Sequence, residues 1–174
     1  LIHPAEGISQ QGFALIEECE RLGILLDVSH LGHQEFEELA AHSRRPFLAS
    51  HSNCYAVCPH PRNILDEEIR TIAERGGVVG LNFVSKFLAS GRIDSMAPFA
   101  AHLRHLIQVG GEDICAIGSD WDGMMSLPPL ISSAKDYPLL WDFLLSEGIS
   151  ERILEKLAYR NAKRFFEENL PDEK

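Results

Sequence analysis

Leu25-Leu26-Asp27-Val28-Ser29-His30 and Pro46-Phe47-Leu48-Ala49-Ser50-His51 are short apolar runs that each end on a histidine, with a helix-like segment between them. A third run, Ile114-Cys115-Ala116-Ile117-Gly118-Ser119-Asp120, ends on an acid. Apolar runs of this length, bounded by turn residues, read as buried strands. Where such strands alternate with helices the sheet is parallel, and its chemistry gathers at the edge where the strands end. Two imidazoles and a carboxylate thus fall at one edge of an α/β protein, and that edge is the candidate site.

The flanking sequence repeats the strand–helix unit. Ser9 is a candidate N-cap for a helix with Phe13, Ile16, Cys19 and Leu22 on its inner face, and Gly23 ends that helix as a C′ residue. A second helix is expected over about 33–42, with Phe36, Leu39 and Ala40 inward. A polar loop, 52–63, holds two prolines. Asp66 is the expected cap of a helix with Ile69, Ile72 and Ala73 inward, stopped by Gly76-Gly77. Strand three, 78–83, is followed by a long connection, 84–95, and a helix near 96–109 with Phe99, Leu103, Leu106 and Ile107 inward. Strand four, 114–119, leads to Asp120. A loop with Pro128-Pro129 then precedes helices near 137–147, 150–159 and 161–169. Four parallel strands, each followed by a helix, make either a small open sheet or half of an eight-stranded barrel. Residues 1–174 are expected to form a single domain.

Composition narrows the function classes. The net charge of −10 argues against nucleic acid or an anionic membrane as a partner, since both need a basic surface. No run approaches the ~18–20 apolar residues of a membrane span. No signal-like start is visible, and the chain opens on Leu1. Cys19, Cys54, Cys58 and Cys115 include no CxxC pair, so a reduced, cytoplasmic setting is expected. Cys54 and Cys58 could share a metal, but structural zinc sites usually present tighter pairs, and that reading is disfavoured.

The strand-end residues leave several chemistries open. Imidazoles with a carboxylate suit a zinc site that acidifies a water, and a carboxylate not used as a ligand can take that water's proton. Spacing alone does not separate zinc ligation by His30 and His51 from a His-Asp acid–base pair. Arg62, in the loop after His51, is either a fork for a substrate carboxylate or a surface arginine. Asn82 either points into the cavity as a substrate contact or caps a turn, and the cap is favoured. Trp121 and Tyr55 could wall a pocket, though aromatics at strand ends more often pack. Asp27, inside a strand, needs a partner if buried. His33, His42, His60, His102 and His105 read as surface or helix-face residues.

Five segments taken together resemble the membrane (renal-type) dipeptidase family, peptidase family M19. They are Leu22-Gly23-Ile24-Leu25-Leu26-Asp27-Val28-Ser29-His30, Ser50-His51-Ser52, Arg62-Asn63 before an acidic helix start, Gly76-Gly77-Val78-Val79-Gly80-Leu81-Asn82-Phe83, and Gly118-Ser119-Asp120-Trp121-Asp122-Gly123. Their order and spacing fit the family across nearly the whole chain. The resemblance implies a (β/α)8 barrel of the metal-dependent hydrolase superfamily with two zinc ions at the C-terminal ends of its strands. It implies that His30 and His51 ligate one zinc, that Asp120 is the proton acceptor, and that Arg62 grips the terminal carboxylate of a dipeptide. The implied reaction is hydrolysis of dipeptides, with a D-residue tolerated at the C-terminal position in many members.

The departure from the family pattern is large. The family's opening strand carries His-x-Asp, followed by a glutamate that bridges both metals and a histidine that contacts the substrate. No His-x-Asp occurs here, and His3 and Glu6 have the wrong surroundings to stand in. The expectation is therefore the C-terminal half of the barrel, about four β/α units with extra C-terminal helices, supplying ligands for one zinc at most. Activity then requires the missing N-terminal half or a second copy of the chain. The rivals are an amidohydrolase acting on another amide or a lactone, and an idle half-barrel that self-associates.

Overall fold

A computed structural model of the chain describes residues 7–124 and 130–171. His3, Glu6 and the Pro128-Pro129 pair lie outside them. Helix α1 (Gln10–Leu22) begins where Ser9 Oγ accepts the Gly12 N–H at 3.1 Å. It ends at Gly23, whose φ of 76° lets the amides of Gly23 and Ile24 turn back to the Glu20 and Cys19 carbonyls. Helices α2 (His33–His42), α3 (Asp66–Glu74) and α5 (Ala97–Gly110) bury Phe36 and Leu39, Ile69 and Ile72, and Phe99, Leu103 and Leu106. Beyond the sheet come α6 (Tyr137–Ser146), α7 (Glu151–Glu155), a π-helical stretch at Lys156–Arg160 and α8 (Asn161–Asn169).

The four apolar runs lie side by side in parallel, but less of them is ladder than the pattern suggests. Among the described residues only β1 (Val79–Leu81) and β2 (Cys115–Ile117) form a paired sheet, with Gly80 opposite Ala116. The 24–29 and 46–51 runs join it through single parallel bridges, Asp27 to Leu48 and Ala49 to Val79. Their polar ends explain the shortfall. Ser50 and His51 turn their N–H groups from the ladder to the Asp27 carboxylate and the Ser29 hydroxyl, so regular pairing is broken at the site and resumes with the Ser52 N–H on the Gly80 carbonyl.

Several expectations need correction. Leu22 is more than half exposed, because Gly23 ends α1 before that face reaches the core. Asp66 is not the cap: Leu65 holds that position and Glu68 accepts its N–H at 2.7 Å, freeing Asp66 to bond His105 Nε2 at 2.7 Å. The 84–95 connection contains a short helix, α4 (Ser85–Leu88). His102 is fully buried rather than on a helix surface. Its Nδ1 accepts the Cys54 N–H at 3.1 Å and its Nε2 donates to the Leu88 carbonyl at 3.0 Å, so one ring ties three segments together. All four cysteines are free, and the Cys54 and Cys58 thiols face different acceptors, the His102 and Lys86 carbonyls. No described helix is long and apolar enough to cross a membrane.

Two glycines let the site form. A Cβ on Gly80 would lie 2.0 Å from the Ser50 carbonyl oxygen, and one on Gly118 would lie 1.9 Å from it. The Ser50 carbonyl therefore lies over two bare backbones, and the His51 carbonyl that follows accepts Asn82 Nδ2 at 3.4 Å. Asn161 fixes the lower end of β2 by donating to the Glu112 and Cys115 carbonyls, both at 2.8 Å.

Candidate active site at the strand ends

The structure brings His30 and His51 together, their Nε2 atoms 2.9 Å apart. His30 lies past Val28 and Ser29 from the Asp27–Leu48 bridge and has a φ of 97°. Asp120, at the end of the β2 run, has a φ of 61°. These are the only non-glycine residues with positive φ among those described, and such strain in a side chain other than glycine persists where surrounding contacts impose it, often at functional sites.

Asn82 is fully buried and does both jobs weighed for it. Its Oδ1 accepts the Val84 N–H at 2.6 Å, which caps the turn after β1. Its Nδ2 donates to Asp120 Oδ2 at 3.2 Å, which orients the carboxylate. Asn53, not singled out in the sequence, pairs with Asn82 reciprocally: its Oδ1 accepts the Asn82 N–H at 3.0 Å and its Nδ2 donates to the Asn82 carbonyl at 2.9 Å. An asparagine two residues past a strand-end histidine was the available signal.

Asp27 finds the partner that its position demanded. Its Oδ1 accepts the N–H groups of Ser29 at 3.0 Å and Ser50 at 2.9 Å, and its Oδ2 accepts the Ser50 hydroxyl. Burial works to raise its pKa, but the bonds from Ser50 and Ser29 outweigh that and hold it below the ordinary carboxylate value. Ser29 Oγ accepts the His51 N–H at 2.9 Å. Burial, then the nearby Arg62 and His51, push the His30 pKa down, against the pull of Asp120 and Asp27. A neutral imidazole is the form that ligates metals.

Arg62 lies close enough to feel Asp120 and Asp27, yet within the described residues its guanidinium forms no ion pair; it rests over the Phe87 ring at 5.7 Å. Burial depresses its pKa while the two acids oppose that shift. A small cavity beside His30 is lined by Arg62, His33 and the buried Glu68, whose Oε1 meets His33 Nδ1 at 2.8 Å. Trp121 packs on Phe83 and Tyr137 with ring centres 5.5 and 5.2 Å away, so it is wall and core at once. Tyr55 is partly exposed beside His33.

No group of three or more His, Cys, Asp or Glu side chains among the described residues is placed to hold a metal ion. The pair fits part of such a site. Two imidazole ligands of one tetrahedral zinc are about 3.3 Å apart at their nitrogens, given Zn–N bonds of about 2.0–2.1 Å. The observed 2.9 Å needs only a slight opening.

The family described as membrane dipeptidase (peptidase family M19) matches residues 2–172. A metallo peptidase from Rhodobacter sphaeroides, solved with a phosphinate mimic of the dipeptide L-Ala-D-Ala, aligns with a TM-score of 0.90 at 37% identity, covering 94% of this chain and 48% of that one. The dipeptidase AC, a metallo peptidase of family M19, aligns with a TM-score of 0.90 at 37% identity, over 95% of this chain and 50% of its own. An uncharacterized protein from the pqqA 5′ region of Klebsiella pneumoniae is 41% identical over 159 residues, which is 89% of this chain and 58% of that protein. The chain spans about half the length of the relatives it matches. It belongs to the membrane dipeptidase family, peptidase family M19.

Proposed function

We propose that this chain is the C-terminal half of a zinc dipeptidase barrel, with about four β/α units and extra C-terminal helices. In this reading His30 and His51 ligate one of two zinc ions, Asp120 is the proton acceptor, and Arg62 and Asn82 serve the substrate side. The convergence of the His30 and His51 Nε2 atoms to 2.9 Å, with the Asn82–Asp120 pair bonded to the same strand end, carries the reading. The parallel order of the four runs and the alignment with about half of each solved metallo peptidase support the half-barrel.

A zinc held by His30, His51 and donors from the rest of the barrel would supply Lewis acidity toward a peptide carbonyl and acidify a water. Asp120 would accept a proton from the attacking water and pass it to the amine that leaves as the C–N bond breaks. Asn82, donating to Oδ2, holds the carboxylate at one rotation and leaves its other oxygen for this transfer. Arg62 is a half-buried cation with no carboxylate of its own in the described structure, a costly arrangement that a substrate carboxylate resolves by a bidentate fork. That preference selects a free C-terminus, as in a dipeptide, over a lactone or an internal amide. Catalytic zinc sites use three protein ligands, so the other donors come from the remaining half of the barrel, in a longer polypeptide, a separate chain or a second copy.

The test is complementation. The chain is mixed with the N-terminal half of the Rhodobacter sphaeroides peptidase and zinc, and hydrolysis of L-Ala-D-Ala is followed. Turnover should appear in the mixture only, and substituting His30 or His51 should abolish it. Equal turnover by the chain alone, with two zinc ions per chain, would defeat the half-site reading. A stable but inactive mixture would identify an idle half-barrel.

A further inference from the structure

We infer that Asp27 and Ser50 form a positioning relay that fixes His51 as its Nδ1–H tautomer and keeps the Nε2 lone pair free. The argument is a count of protons. Asp27 Oδ1 receives two backbone N–H groups, from Ser29 and Ser50, which can only donate. Its Oδ2 faces the Ser50 hydroxyl, and that same Oγ lies 2.6 Å from His51 Nδ1. A serine hydroxyl has one proton. Given to Nδ1, it would leave an oxygen lone pair pressed against a carboxylate oxygen. Given to Asp27, it leaves Oγ as an acceptor, and Nδ1 must then carry its own hydrogen. The bare nitrogen of His51 is therefore Nε2, the atom aimed at His30.

The rest of the pocket agrees. Ser29 Oγ takes the His51 N–H at 2.9 Å, so the backbone that carries the ring is fixed from the same side. With His51 Nε2 bare, the 2.9 Å contact makes His30 its donor through an Nε2–H. No described group bonds His30 Nδ1, so the contact with His51 alone sets the His30 tautomer. The pair is thus unequal: His51 is preset for a ligand role, and His30 must shift a proton from Nε2 to Nδ1 before it can share a metal. Partners behind a ligand imidazole that set its tautomer commonly change metal affinity by about 10–100-fold when removed. The relay rests on the proposed zinc site only for its purpose; the tautomer is a property of this chain alone.

The experiment is ¹⁵N NMR of the imidazoles in the full chain without metal, joined to zinc titration against a competing chelator. Wild type should show His51 as Nδ1–H and His30 as Nε2–H. Asp27→Asn preserves shape but lets the amide Nδ2 donate to Ser50 Oγ, which sends the Ser50 proton to Nδ1. His51 should then become Nε2–H, with zinc affinity lower by about tenfold or more. Ser50→Ala should leave a mixture of tautomers, and Ser50→Thr should restore the wild-type pattern. An Nε2–H His51 in wild type, or an unchanged ring in Asp27→Asn, would overturn the relay. The wild-type spectrum decides the matter even if a variant does not fold. Tautomers as expected in a chain that takes up no zinc would keep the relay and defeat the metal reading instead.

Discussion

At the residue scale, Arg62 and His102 show what burial does to a cation and to an imidazole. Arg62 lies half-buried and without an acid partner among the described residues, and in the proposed reading its charge meets an incoming carboxylate. Charge-assisted hydrogen bonds of this kind are worth about 1.5–3 kcal/mol each. In the complemented enzyme Arg62→Met should raise KM by about 10–100-fold with a smaller change in kcat, and Arg62→Lys should fall between. An unchanged KM in Arg62→Met would remove Arg62 from the substrate. His102 is buried neutral, its pKa pushed down to about 4 chiefly by burial and further by His105, against the Leu88 bond. The unfolded state takes up this proton below about 6.5 and the native state only near 4, so stability falls as pH drops through that window. The full effect is about 3 kcal/mol. Urea unfolding at pH 7, 6, 5 and 4.5 should show the decline, and His102→Gln, weaker at pH 7, should show a shallower one; equal slopes would mean that His102 is not the titrating group. The strand-end position of His30, His51, Asn82 and Asp120 was legible in the sequence because a strand's last residue is fixed by the pattern of the residues before it. The Asp27–Ser50 contact was not legible. It joins two runs 23 residues apart, and no periodicity encodes which serine turns toward which acid.

At the element scale, helices were easier to read than strands. A helix satisfies its backbone within itself, so caps and apolar spacing settle it, as Ser9 and Gly23 do for α1. A parallel strand depends on neighbours distant in sequence, and here the 24–29 run keeps one bridge and the 46–51 run two, where their apolar runs suggested a ladder. What shortens them also builds the site, and the glycines permit it. Gly80→Ala or Gly118→Ala would drive a Cβ into the Ser50 carbonyl, at 2.0 or 1.9 Å, against backbone that cannot rotate away. Each should cost about 1–3 kcal/mol in chemical unfolding and displace His51 from His30, read as a shift in the imidazole NMR signals of both. Gly91→Ala, which would meet nothing within 4 Å, is the control and should change stability by less than about 0.5 kcal/mol. Equal behaviour of the three variants would contradict the close approach of Ser50 to the sheet.

At the scale of the whole molecule, two opposed properties govern how the chain behaves alone. The 24–29 run is bridged on one side only in the described structure, with Ile24 more than half exposed next to it, and such an edge invites pairing with another chain. The net charge of −10 opposes this, because two copies that carry it repel on average over their orientations. The repulsion is long-ranged and screened, with a Debye length near 10 Å at 0.1 M salt and about 3 Å at 1 M, whereas apolar contact is not weakened by salt. Added salt should therefore favour association, the reverse of what is seen when opposite charges hold an interface. Sedimentation velocity at 0.05 M and 0.5 M sodium chloride should show more dimer and higher species at the higher salt. The N-terminal half of the Rhodobacter sphaeroides peptidase should suppress them by occupying the open edge. A monomer at both salt concentrations would mean that the edge is already protected within the chain. In that case the half-barrel reading would lose its open edge and rest on the incomplete ligand set alone.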